Sequence, residues 1–123
     1  GQKVLDFLSG LILGRGLLMK EYSKLVRDKI PVIIEASGKK AEMRVLDDAE
    51  YKKMLDVKLQ EELYEYITAV EKDQVAELAD SVEVVYAILD NKGISIEEFE
   101  LVRLEKKKKR GGFGEKFLLV KVE

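Results

Sequence analysis

The chain has 123 residues, 46% apolar and 37% charged, with 22 Lys and Arg against 24 Asp and Glu for a formal net charge of −2. That length and balance describe one soluble, helix-rich globular domain and argue against bulk attraction to nucleic acid or to an anionic membrane. With no cysteine and no histidine, the chain has no disulfides, thiolates, imidazole ligands or Ser-His-Asp and Cys-His nucleophile systems, so catalysis falls to carboxylates, Lys, Arg, Tyr or Ser in a protein expected to be cytoplasmic.

Residues 1–18, "GQKVLDFLSGLILGRGLL", are apolar but interrupted by Gly10, Gly14, Arg15 and Gly16. No run reaches the ~18 to 20 residues that span a bilayer, and no small-residue cleavage site marks a signal peptide. Two readings stand: an added leader before a natural start at Met19, or a native helix that packs on the domain or a partner. The domain itself is expected over 19–123. In "KLVRDKIPVIIEASG", Pro31 starts a short helix over about 31–37 and Gly38 stops it. Residues 43–46 are a strand candidate, and Asp47 or Asp48 caps a helix over 48–70 with Leu55, Leu59, Leu63, Tyr66 and Val70 on one stripe.

A second long helix over 74–91 carries Val75, Leu78, Ala79, Val82, Val85, Tyr86 and Leu89 on one face and Val84 and Ile88 nearly opposite. Apolar on two sides, it reads as an interior helix. Gly93 ends it, Ser95 and Glu98 form a capping box for the last helix, and Gly111 and Gly112 close that one. "KFLLVKV" is a final strand that could pair with 43–46. The expected fold is mainly α, a helical bundle with a small C-terminal β element. There is no internal repeat and no linker.

Between residues 61 and 82, seven carboxylates (Glu61, Glu62, Glu65, Glu71, Asp73, Glu77 and Asp80) are threaded through Leu63, Ile67, Val70, Val75, Leu78 and Val82. In one continuous helix the 18 residues between Glu62 and Asp80 would separate them by roughly 27 Å. A turn at 71–73, with Asp73 as N-cap, would instead fold the chain back and set Glu62 and Glu65 opposite Glu77 and Asp80. The i, i+3 spacing puts each pair on one helix face, about 60° apart, as two ligands of one ion require. Glu77 shares the line of Val84 and Ile88, where an unpaired carboxylate must find a cation or take up a proton. An oxygen-only site suits a hard cation such as Mg2+ or Mn2+. The alternative is a solvated acidic face paired with lysines such as Lys58 and Lys72. Glu61 points away from both pairs and reads as exposed, with a supporting or general-base role as the lesser alternative.

"EELYE" followed by "ELAD" resembles the E-E-x-x-E … E-x-x-D signature of the all-alpha nucleoside triphosphate pyrophosphohydrolases, the MazG-like superfamily that includes phosphoribosyl-ATP pyrophosphohydrolase and the dimeric dUTPases. "YSKLVRDKIP", "RVLDDAEY" and "LEKKKKRGGF" are similar to an uncharacterised branch of that superfamily over nearly all of 19–123. The resemblance implies Mg2+ held by Glu62, Glu65, Glu77 and Asp80, hydrolysis of a nucleoside triphosphate to monophosphate and pyrophosphate, clearance of non-standard or surplus nucleotides, and a homodimer or homotetramer. The spacer between the acidic pairs, residues 66–76, is short for the family, and the histidine-containing C-terminal pattern of true MazG proteins is missing.

On that reading divalent ions offset the phosphate charge and activate a water for in-line attack. Glu65, beside Glu62, is the candidate to accept the water proton. Arg110, next to Gly111 and Gly112, is the best candidate to grip phosphate, and Phe113 either stacks on a base or joins the core. Lys24, Arg27 and Lys29 either hold phosphate or make exposed ion pairs; the run Lys106 to Arg110 otherwise offsets a helix dipole. A phosphoribosyl-ATP pyrophosphohydrolase is the alternative among enzymes. A non-catalytic helical oligomer that binds a partner or nucleic acid through "KKKKR" is the alternative outside them.

Overall fold

The computed structural model describes residues 23–123, so the expected leader and Met19 lie outside the described residues. Among the described residues four α-helices follow one another: α1 (Ile30–Ala36), α2 (Asp48–Thr68), α3 (Gln74–Asn91) and α4 (Ile96–Arg110), with a 3-10 turn, Glu71–Asp73, between α2 and α3. They fall into two compact units, one ending at Ile88 and the other covering Leu89–Glu123.

Local chemistry accounts for the helix ends. Pro31 stands in the first turn of α1, where its missing N–H costs nothing, and the helix closes through Ser37 N–H to Ile34 O (3.1 Å) and Gly38 N–H to Glu35 O (2.9 Å). Of the two candidate caps for α2, Asp47 is the one used: its Oδ1 accepts from Glu50 N–H at 2.8 Å. Arg44 then grips the Glu50 carboxylate with two guanidinium nitrogens, at 3.2 and 2.6 Å, and this holds the Glu50 carboxyl below its usual range.

The reversal between α2 and α3 is built from two successive extended residues, Ala69 (ψ 150°) and Val70 (ψ 153°). Asp73 N–H donates to Val70 O at 2.9 Å, and the Gln74 side-chain amide donates back to Tyr66 O at 3.5 Å. Asp73 thus closes the 3-10 turn with its backbone, and Gln74 is already in helical geometry. α3 ends in a Schellman motif: Ile94 N–H reaches Leu89 O (2.9 Å) and Gly93 N–H reaches Asp90 O (3.0 Å). Gly93 takes φ +73°, which a side chain would disfavour. Ser95 caps α4 by accepting from Glu98 N–H at 3.1 Å, the expected capping box.

Two expectations are corrected. The small β element is not seen: neither 43–46 nor 117–122 forms a strand, and Val45, Phe117, Leu118, Leu119, Val120 and Val122 are all exposed. A strand exists through its ladder partner, and apolar β-formers without one stay irregular. And α3 is buried on two sides only in its second half: Ser81, Val84 and Ile88 on one line and Val85, Tyr86 and Leu89 on the other are buried or half-buried, whereas Val75, Leu78, Ala79 and Val82 are exposed. Along the expected stripe of α2, Leu55 is buried and Leu59 and Tyr66 half-buried, but Leu63 is exposed, as is Val70, which lies beyond the end of the helix at Thr68. Among the described residues no helix is long and apolar enough to cross a membrane.

The cap makes a direct prediction. Asp47→Ala removes the acceptor for Glu50 N–H and should lower stability by about 1 kcal/mol, read as a lower urea midpoint with unchanged slope.

Candidate metal centre

The inward face of the α2–α3 hairpin is acidic. Glu61, Glu62 and Glu65 are buried, at 4, 8 and 7% exposure, alongside Leu55, Ser81 and Val84. Folding back at residues 69–73 brings Glu77 to Glu62 and Glu65, so that one carboxylate oxygen of each lies within 4.8 Å of the others. Three of the four expected ligands therefore converge, across the bend inferred from their spacing. Such a group offers the hard oxygen donors that divalent cations take.

Glu77 sets the electrostatic demand. Its Oε2 is buried and has no hydrogen-bond partner among the described residues. The Glu77 backbone carbonyl, by contrast, accepts from Ser81 Oγ at 3.1 Å. A buried carboxylate oxygen without a donor is costly to desolvate, and a bound cation would remove that cost. The donor set thus fits a hard divalent ion.

Asp80 does not join the group. It lies one turn along α3 from Glu77, and Arg27 Nη2 donates to its Oδ1 at 2.6 Å, with both side chains about half exposed. Glu61 is a second departure: expected at the surface, it is the most buried of the carboxylates. Lys58 Nζ donates to Glu61 Oε2 at 3.2 Å and lies 3.2 Å from Glu62 Oε1, while Lys24 Nζ stands 3.9 Å from Glu61 Oε1. Lys58, read as a partner of a solvated face, is a largely buried counter-charge. The signal was its spacing, three residues before Glu61 and four before Glu62, which puts all three on one helix face.

Lys24 shows what this crowding costs. Burial lowers its pKa first, the nearby Lys58 charge lowers it further, and the attraction of Glu61 and Glu62 does not restore it. Among the described residues, Lys24 and Lys58 stand against Glu61, Lys58 also against Glu62, and Arg27 against Asp80.

The remaining expected phosphate contacts are all exposed. Lys29 occupies the exposed N-cap position of α1, where its carbonyl accepts from Ile33 N–H at 3.1 Å. Arg110 is the exposed last residue of α4 and Phe113 is 98% exposed, so Phe113 is not a core residue; both belong to the second unit. Lys106 to Arg110 are exposed at the helix C-terminus, with Lys109 paired to Glu105 at 3.1 Å.

A protein of Mycolicibacterium smegmatis (strain ATCC 700084 / mc(2)155), described as an uncharacterized protein, is 46% identical over 55 residues, which cover 45% of this chain and 56% of that protein. The chain therefore spans little more than half the length of this relative. No family model matches the chain, and no solved structure matches it.

The ion cluster can be tested through Lys24. Its folded pKa lies below its unfolded one, so the folded chain carries a penalty that is relieved as pH rises toward the unfolded value of 10.5. Glu61→Gln removes a charge that raises this pKa. It should cost about 1 to 3 kcal/mol at pH 7, by leaving two lysines near each other without their shared carboxylate. Melting temperatures between pH 7 and 10 should then recover more with rising pH in the variant than in the wild type.

Proposed function

We propose that the protein is a Mg2+-dependent nucleoside triphosphate pyrophosphohydrolase, built as an all-alpha bundle of the MazG-like kind and cleaving its substrate to a nucleoside monophosphate and pyrophosphate. The observation that carries this reading is the orphaned Glu77 Oε2 within a close group of three carboxylates. Glu62, Glu65 and Glu77 would hold the ion, with Asp80 as the fourth ligand. Bound Mg2+, or Mn2+ in its place, would supply the positive charge that lets a triphosphate approach so many carboxylates. Lys58 fixes one oxygen of Glu62 and leaves the other for the site. Glu65 would accept a proton from an attacking water. Arg27, which donates to Asp80 Oδ1, would hold phosphate oxygens.

A homo-oligomer forms part of the proposal. Leu63, Ile67, Val70, Val75, Leu78 and Val82 are 43 to 77% exposed on the two helices and the reversal of one hairpin. So many large apolar side chains on one supersecondary unit suit burial against a second copy. Ile67→Asp combined with Leu78→Asp should halve the mass seen by light scattering; an unchanged mass would remove this face from the interface.

For the activity, pyrophosphate release should be measured across a panel of ribo- and deoxyribonucleoside triphosphates with phosphoribosyl-ATP included. Turnover confined to phosphoribosyl-ATP would move the assignment to that activity. Mg2+ should raise the melting temperature, by the equivalent of about 2.7 kcal/mol at a hundredfold excess over Kd. Glu77→Gln should abolish that response and turnover while the metal-free chain stays folded. Normal hydrolysis by Glu62→Gln and Glu77→Gln would show that the site is elsewhere.

A further inference from the structure

Arg27 and Asp80 are 53 positions apart in the chain, yet Nη2 of one donates to Oδ1 of the other at 2.6 Å. Asp80 has the i, i+3 spacing from Glu77 that would make it a ligand, but the close group contains Glu62, Glu65 and Glu77 without it. A guanidinium and a divalent ion make the same demand on a carboxylate, since each sets concentrated positive charge against its oxygens. A divalent ion bound at Glu77 would therefore compete with Arg27 for Asp80.

Resting on the metal-centre reading, we propose that Arg27 is an internal competitor for the cation. It holds Asp80 aside in the metal-free protein, and Asp80 passes from Arg27 to the ion on binding, which releases the guanidinium beside the site to take the phosphate oxygens of the substrate. The burial of the two kinds of ion pair separates their roles. Lys58 and Glu61 are 15 and 2% exposed and form a fixed support, whereas Arg27 and Asp80 are 56 and 44% exposed, a pair that water helps to open. Ion and triphosphate are then coupled through one side chain. Whichever binds first draws one partner away and leaves the other available, and linkage makes the effect reciprocal.

The test is calorimetric titration of Mg2+ alone into the full chain, with wild type, Arg27→Met, Asp80→Asn and the double variant. Removing a competitor of the strength of an exposed ion pair should lower the Kd for Mg2+ about two- to fivefold in Arg27→Met. In the Asp80→Asn background the same substitution should change nothing. Inorganic triphosphate with Mg2+ present should meanwhile bind more weakly to Arg27→Met than to wild type. A gain that persists without the Asp80 carboxylate would reduce Arg27 to a nearby positive charge and overturn the exchange. So would an Arg27→Met protein that binds Mg2+ no tighter while its metal-free melting temperature falls, the mark of a merely structural tie. Unchanged triphosphate binding would overturn the released-guanidinium step. Arg27→Gln repeats each arm with a polar side chain should Arg27→Met fail to fold. Wild-type protein that takes up no Mg2+ would overturn the metal-centre reading itself, a result distinct from metal uptake indifferent to Arg27.

Discussion

Mutual repulsion among inward carboxylates is the constraint on which the first unit depends. Glu62, Glu65 and Glu77 approach within 4.8 Å, where each pair of like charges costs at least about 3 kcal/mol at an effective dielectric of ~20. A hairpin held only by its apolar contacts would open to relieve this. The described residues compensate in part: Lys58 lies between Glu61 and Glu62, Lys24 backs Glu61 at longer range, and Arg27 draws Asp80 outward. No donor among them reaches Glu77 Oε2. Among the described residues Glu77 Oε2 is thus a buried acceptor left without a donor, a use of stability that fits a binding site better than a scaffold.

The same constraint orders the remaining features. Because the interior of the hairpin is occupied by charged groups, the apolar side chains of α2 and α3 are divided between a modest buried set around Leu55 and Val84 and a larger exposed set. α4 carries its own supports instead of a buried face, with Glu100–Arg103 and Glu105–Lys109 pairs along its surface. Exposed pairs of that kind contribute a few tenths of a kcal/mol each, roughly, so α4 relies mainly on its Ser95 cap and on helix-favouring residues.

Element boundaries were legible because they are written in local chemistry. Pro31, Gly38, Asp47, Gly93, Ser95 and Gly111 act within a few bonds of themselves, and the helices begin and end where those residues place them. The bend at 71–73 was legible for another reason, the matched spacing of the acidic pairs on either side. What could not be read was which face turns inward. Sorting α2 and α3 by polarity puts Glu61 in water and Leu63, Val75 and Leu78 inside; the structure does the reverse. The energy that decides this lies in contacts between residues distant in sequence, such as Lys24 with Glu61 and Arg27 with Asp80. Likewise the β-forming composition of 117–122 says nothing of whether a neighbouring strand exists.

The two extended residues Ala69 and Val70 and the three of the 3-10 turn act as a fixed-length spacer between two helical screws. Each residue added to or deleted from the start of α3 would rotate everything after it by about 100°. Glu77 would then swing off the inner line, and Ser81 and Val84 with it. Drift in the length of this connection should therefore be far less tolerated than drift in its composition, and Lys72, exposed at the crest, is free to vary where the count of residues around it is not.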